Sequence, residues 1–228
     1  MKMLATFCQN EDGAITVDWT VLTGTLVGLG LAAAAVVANG VSSLSTDVSD
    51  VLGGIIEEAA EALYFSGFDL GAPEWTNGVV SNDSGFGSVL GPYGGTGGAQ
   101  AVHSAFDIPE GTNVASFTFD MIAIDSWDNE EFIVFVDGAP AASLRFQHST
   151  DGVTGEWVSD NPNYTFQVLD TGPREHSGYN AGWPDQRASV QLDVRNPGQT
   201  VTLGFGSTLD QGIGDESFAV DNVTLTAN

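Results

Sequence analysis

The sequence predicts two unlike parts in one chain, a long N-terminal α-helix over residues 14–63 and an all-β antiparallel jelly-roll sandwich over residues 64–228. Three observations predict them. The segment from Trp19 to Thr46 carries no charged residue, and it is longer than the roughly 20 apolar residues that cross a bilayer as a helix. From Leu44 the apolar residues Val48, Leu52, Ile55, Ala59 and Leu63 recur at three or four positions, with Asp47, Asp50, Glu57, Glu58 and Glu61 between them, the pattern of a helix resting one face on a partner. From Tyr64 onward the period changes to two, and Gly, Pro, Asn and Asp punctuate the runs, as in strands joined by turns.

The charge balance narrows the partners. Thirty Asp and Glu stand against five Lys and Arg, a formal net charge of −25, which repels nucleic acid and anionic lipid from the β part. The chain has one cysteine, Cys8, so no internal disulfide forms and stability must come from core burial, with or without metal.

Residues 1–13 form a polar leader ending in Gly13, and the apolar run begins only afterwards. A secretory signal peptide is the plain alternative, with Val36-Val37-Ala38 as the small residues before a cut. Gly13, four uncharged residues, the acid Asp18, the aromatic Trp19 and then the apolar run resemble the prepilins of type IV filaments. Within them, Gly13-Ala-Ile-Thr-Val-Asp-Trp-Thr-Val-Leu-Thr23 resembles the Flp pilins of tight-adherence (Tad) pili, over residues 9 to 50 or so. The resemblance implies that a prepilin peptidase cuts between Gly13 and Ala14, and that the new amine pairs with Asp18 of a neighbouring pilin subunit. It also places the chain in a bacterial inner membrane before assembly and in an extracellular pilus at the cell surface afterwards. Asp18 is one methylene shorter than the family's usual Glu, and Trp19 replaces its usual Tyr. A carboxylate in an apolar bundle is costly unless paired; alternatively Asp18 is an interfacial acid favoured by a helix N-terminus. Gly24 and Gly28 form a Gly-x-x-x-Gly pair of the kind that lets apolar helices approach closely.

Within the β part, Phe117 and Phe119 alternate with Ser116, Thr118 and Asp120, and Phe132 to Val136 is a fully apolar run. Val190, Leu192 and Val194 alternate, as do Val201, Leu203 and Phe205, and the pattern resumes at Phe218 and Val220. The turns fall at Pro109-Glu-Gly111, Asp137-Gly138, Asp151-Gly152 and Asn196-Pro-Gly198. Nine or ten strands without an intervening helix indicate one sandwich. Phe65-Ser-Gly-Phe-Asp69 with Glu74-Trp75, and Phe218-Ala-Val-Asp-Asn-Val223, resemble the opening and closing strands of MAM-type and carbohydrate-binding jelly rolls, a likeness of architecture rather than of ligand.

Two constellations carry candidate chemistry. The first and last strands of a jelly roll often adjoin, which would gather Asp69, Asp215, Glu216 and Asp221 around a structural Ca²⁺, since carboxylates together repel unless a cation sits among them; the alternative is that they face solvent at a sheet edge. In the second, Asp125-Ser-Trp127-Asp128-Asn-Glu-Glu131 places four acids around an aromatic, and Trp157, Tyr179 and Trp183 lie in a loop-rich stretch from His148 to Asp185. Aromatic faces with nearby carboxylates suit a sugar, although such a tryptophan is equally at home in a core. No Gly-x-Ser-x-Gly elbow is present and the three histidines are scattered, so the expectation is a protein that is not an enzyme. Two functions follow: an adhesive Tad-type pilus subunit that displays the sandwich to extracellular polysaccharide, or a secreted or helix-anchored carbohydrate-binding module without a filament.

Overall fold

The period-two segments are strands of two antiparallel sheets. The computed structural model describes residues 21–27, 29, 33, 36–37 and 62–228, save 83–84, 150–151 and 181. The strands are β1 (Tyr64–Ser66), β2 (Val80–Ser81), β3 (Val89–Tyr93), β4 (Gln100–Asp107), β5 (Val114–Asp125) and β6 (Asp128–Val136), followed by β7 (Ala139–Gln147), β8 (Gly152–Val158), β9 (Tyr164–Glu175), β10 (Asp185–Arg195), β11 (Thr200–Ser207) and β12 (Glu216–Ala227). One sheet runs β2-β3-β12-β5-β10-β9, with β1 also paired to β12; the other runs β4-β11-β6-β7-β8. The central orders β3-β12-β5-β10 and β4-β11-β6-β7 interleave in the chain, so the connections from β3 to β6 and from β10 to β12 cross between the sheets as in a jelly roll, while β6–β7, β7–β8 and β9–β10 stay within one.

Alternation sends one face of each strand inward. Phe117, Phe119 and Met121 of β5 meet Val190 and Leu192 of β10, Val201, Leu203 and Phe205 of β11, and Phe132 and Val134 of β6 in one core. Phe205 is its hub: its ring stacks on Trp75 at 5.6 Å between centroids and lies 4.9 Å from Phe119 and 5.6 Å from Phe132. The sequence reading undercounted the strands because β1 and β2 are only three and two residues long, too short to show a period.

β12 changes partner along its length. Phe218 and Val220 pair with β3, and Val223 to Leu225 pair with β1. The register of β12 on β5 shifts between Asp221 and Thr224, and Asn222 takes a φ of 52°, a bulge that turns side chains outward where the partner changes.

The long N-terminal helix is corrected. The chain divides into two units, residues 1–60 and 61–228. In the first, residues 21–27 are helical, as are 29, 33, 36 and 37, and no helix among the described residues is long and apolar enough to cross a membrane. The physical reason lies in what an uncharged run reports. It records that a segment is cheap to remove from water, not how long a helix it forms, and Val21, Leu22, Leu26 and Val27 are exposed. Gly24 is helical, with nothing within 4 Å of a Cβ placed on it. Gly13, Ala14, Asp18, Trp19 and Gly28 lie outside the described residues.

Candidate functional site

One end of the sandwich gathers the turn from β5 to β6 and the connections β9–β10 and β11–β12. Register places it: Glu216 faces Asp125, Gln186 faces Ala123, and Asp128 faces Gln147. Asp125 closes β5 with a φ of 68°, a left-handed conformation that Asp tolerates better than most residues. The turn is fastened to β12. The Ser126 amide and hydroxyl both donate to the Asp215 carbonyl, at 3.0 and 2.9 Å, and Trp127 Nε1 donates to the Ser217 carbonyl at 2.8 Å. Trp127 is therefore turned inward, buried edge-to-face against Phe146.

Two buried carboxylates organise the β9–β10 connection. Asp185 accepts the amides of Asp125 at 2.8 Å, Ser177 at 2.6 Å and Gly178 at 2.7 Å. Asp125 accepts those of Tyr179 at 3.1 Å and Asn180 at 2.9 Å. Four consecutive loop amides are thus held by two acids. Burial holds the Asp125 carboxyl above its ordinary value; the charges of Asp185 and Asp215 add to this, against the pull of the two amides.

The loop so held presents aromatic rings outward. Tyr179 is 44% exposed and Trp183 36%. Trp183 lies edge-to-face on His148, with centroids 4.5 Å apart. His148 is fixed in turn: its amide donates to the Trp127 carbonyl at 2.6 Å, its Nδ1 is 2.7 Å from the same oxygen, and Arg174 donates to the His148 carbonyl. Of the residues expected to contact a ligand, the structure brings Tyr179 and Trp183 together on one loop. Asp125 serves as that loop's internal anchor, Trp127 belongs to the core, and Asp128 is exposed at the start of β6. Trp157 is not in a loop: strands β8 and β9 take up most of the stretch expected to be loop-rich, and Trp157 stands half-exposed on β8, opposite Ser143.

The four acids expected to share a cation are distributed differently. Asp69 and Asp221 line one cleft of about 430 Å³, together with Phe65, Phe86 and Asn222. Glu216 lies five residues back along β12, about 17 Å away at strand rise, where it meets Glu130 and Asp210. Asp215 gives its carbonyl to Ser126. Beside the cleft, Arg187 donates to Asp120 at 2.6 Å and to Asp221 at 3.1 Å. Asn222 donates to Asp120 at 2.9 Å, and Ser189 also donates to it. Burial would raise the Asp120 carboxyl, but these three donors outweigh it and hold the group below its ordinary value. Burial prevails at Asp221, which is raised despite Arg187.

Asp185 and Asp210 carry no signal as site residues in the sequence, Glu130 stands there only among the acids around Trp127, and His148 only as one of three scattered histidines. Asp185 is sixty residues from Asp125, and no local spacing reveals such a pair. The acid- and glycine-rich run Asp210-Gln-Gly-Ile-Gly-Asp-Glu216 was a readable signal for a loop that folds back on its own carboxylates.

No protein-family model and no curated protein matches the chain. Among solved structures, a xylan-binding domain of carbohydrate-binding family 22 is similar at 12% identity and a TM-score of 0.39, over 74% of this chain and 96% of that one. A family 35 carbohydrate-binding module from Cellvibrio japonicus gives 10% and 0.38, over 72% and 93%. The C-terminal family 22 module of a Clostridium thermocellum protein gives 12% and 0.36, over 73% and 94%. Likeness at these levels carries no argument about this chain's ligand.

Proposed function

We propose that the sandwich is a non-catalytic glycan-binding module whose contact surface is the loop bearing Tyr179 and Trp183, with His148 beside it. One observation carries the reading: two buried carboxylates fix four consecutive amides of a loop whose large side chains face solvent. Burying acids to order an exposed loop is costly, and the return is a rigid aromatic surface that loses little freedom when it binds. Aromatic rings pack on the apolar faces of sugars, while loop amides and carbonyls meet their hydroxyls. The net charge of −25 favours neutral over acidic polysaccharides. The module works where polysaccharide is met, outside the cell.

Affinity electrophoresis of the chain in gels containing neutral polysaccharides tests this. Retardation by at least one glycan is expected, with Trp183→Ala and Tyr179→Ala each weakening it about tenfold, the effect of losing a central aromatic contact. Trp157→Ala, on β8, should migrate as the wild type does. Equal retardation of Trp183→Ala, Tyr179→Ala and wild type would overturn the reading. The filament reading rests on Gly13, Ala14 and Asp18, outside the described residues; N-terminal sequencing of the protein from its own cells tests it, a start at Ala14 favouring it and any other start counting against it.

A further inference from the structure

Glu216, the first residue of β12, has no solvent exposure. Its Oε1 accepts the amides of Asp210 at 2.5 Å and Gln211 at 2.6 Å, while Oε2 is buried with no hydrogen-bond partner. A bare carboxylate oxygen in an interior forfeits its hydration without return. What surrounds Glu216 makes matters worse, because Glu130 and Asp210 each bring a carboxylate oxygen, and one oxygen from each of the three acids lies within 4.8 Å of the others. The arginine in the neighbouring strand, Arg145, is taken by Glu131.

The spacing suits an ion. Oxygens about 2.4 Å from a Ca²⁺ lie at most about 4.8 Å apart, and Ca²⁺ accepts such hard oxygen donors in an irregular shell completed by water. The backbone is already set for it. Thr208 donates its amide to the Glu131 carbonyl at 2.9 Å, the Glu131 amide donates to Thr208 Oγ1 at 2.8 Å, and Asp215 and Glu216 both donate to the Gly212 carbonyl, so the β11–β12 loop is closed around Glu216 and tied to β6. We propose that Glu130, Asp210 and Glu216 form a Ca²⁺ site that fastens the β11–β12 loop to the start of β6. The site is independent of the aromatic loop, and its test does not involve glycan.

The test is calorimetric titration of the full chain, stripped with chelator and kept in mild detergent, with calcium chloride, alongside thermal unfolding with calcium or chelator. The expected result is saturable binding and a higher unfolding temperature in calcium. Asp210→Asn and Glu216→Gln should each weaken that binding about tenfold or more, as losses around a metal do, and abolish the thermal shift. Asp210 is exposed, so its variant folds even if Glu216→Gln does not. Asp160→Asn, an exposed acid elsewhere, should bind as the wild type does. Absence of a calcium-dependent shift, or a shift that persists in Asp210→Asn, would overturn the proposal.

Discussion

Asp185 Oδ1 accepts the backbone amide of Asp125 at 2.8 Å, so the acid that holds the first half of the β9–β10 loop also orients the acid that holds the second half. Asp185→Ala removes one acceptor from three amides, those of Asp125, Ser177 and Gly178. An unsatisfied buried group costs about 1–3 kcal/mol; water can reach the two loop amides, so the expected loss is about 2–4 kcal/mol by urea unfolding. Glycan affinity should fall with it, although Asp185 is turned away from solvent. A variant with wild-type stability would show that the loop does not need this anchor.

Gly178 tests the same loop through space alone. A Cβ there would sit 2.5 Å from Asp185 Oδ1, 2.7 Å from Asp125 Oδ1 and 2.8 Å from Ile124 Cγ2, so Gly178→Ala must push the loop off both carboxylates. The sandwich should stay folded, with unchanged far-ultraviolet circular dichroism, while the tryptophan emission shifts to the red as Trp183 leaves His148. An unshifted spectrum would mean that the loop absorbs the methyl group without moving.

The division between what the sequence showed and what it hid follows from distance along the chain. Phe117, Phe119, Val190, Leu192, Leu203 and Phe205 could be assigned to strands because alternation is a local signal, written every second residue. Tyr179 and Trp183 stood out as aromatics among glycines and polar residues. Asp125 stood out as a ligand contact rather than as an anchor, and Asp185 did not stand out, because their pairing spans sixty residues and nothing local marks either acid as buried. The cation reading illustrates the same limit. Asp221 and Glu216 are close in sequence, but a strand separates them by about 17 Å, while Glu130 reaches Glu216 across the sandwich end. The N-terminal run misled for another reason: absence of charge marks the environment a segment suits, not the length of helix it forms.

Arg187 gives a pH-dependent outcome whose sign can be worked out. Asp120 lies below its ordinary value of 3.8, so its contribution to stability is fully present above that value and is lost as pH falls through the lower, folded-state value. Arg187→Met leaves Asp120 and Asp221 adjacent without their shared cation. Asp221, already above 3.8 by burial, loses the arginine that pulls it down and rises further, so around it the folded state binds more protons than the unfolded one and stability rises on acidification. Breaking a buried pair costs about 3–5 kcal/mol; the Arg187 side chain is 29% exposed, so about 2–3 kcal/mol is expected at pH 7. The gap between variant and wild type in urea unfolding should narrow at pH 5. A gap that stays constant between pH 7 and pH 5 would mean that the arginine acts through its aliphatic stem.

The hub of the core supplies the last test. Phe205 touches Trp75, Phe119 and Phe132, which come from the segment after β1 and from β5 and β6, so one ring joins both sheets to the opening segment. Phe205→Ala opens a cavity bounded by three other aromatic rings, each held in place by its own segment, and the cost should be at the upper end of the 3–5 kcal/mol or so typical of such truncations. Phe65 is the contrasting residue: it lies on β1, exposed at the mouth of the cleft with Asp69 and Asp221, and Phe65→Ala should change stability by no more than about 0.5 kcal/mol. Equal losses in the two variants by chemical unfolding would show that β1 is covered in solution and that the cleft it borders is closed.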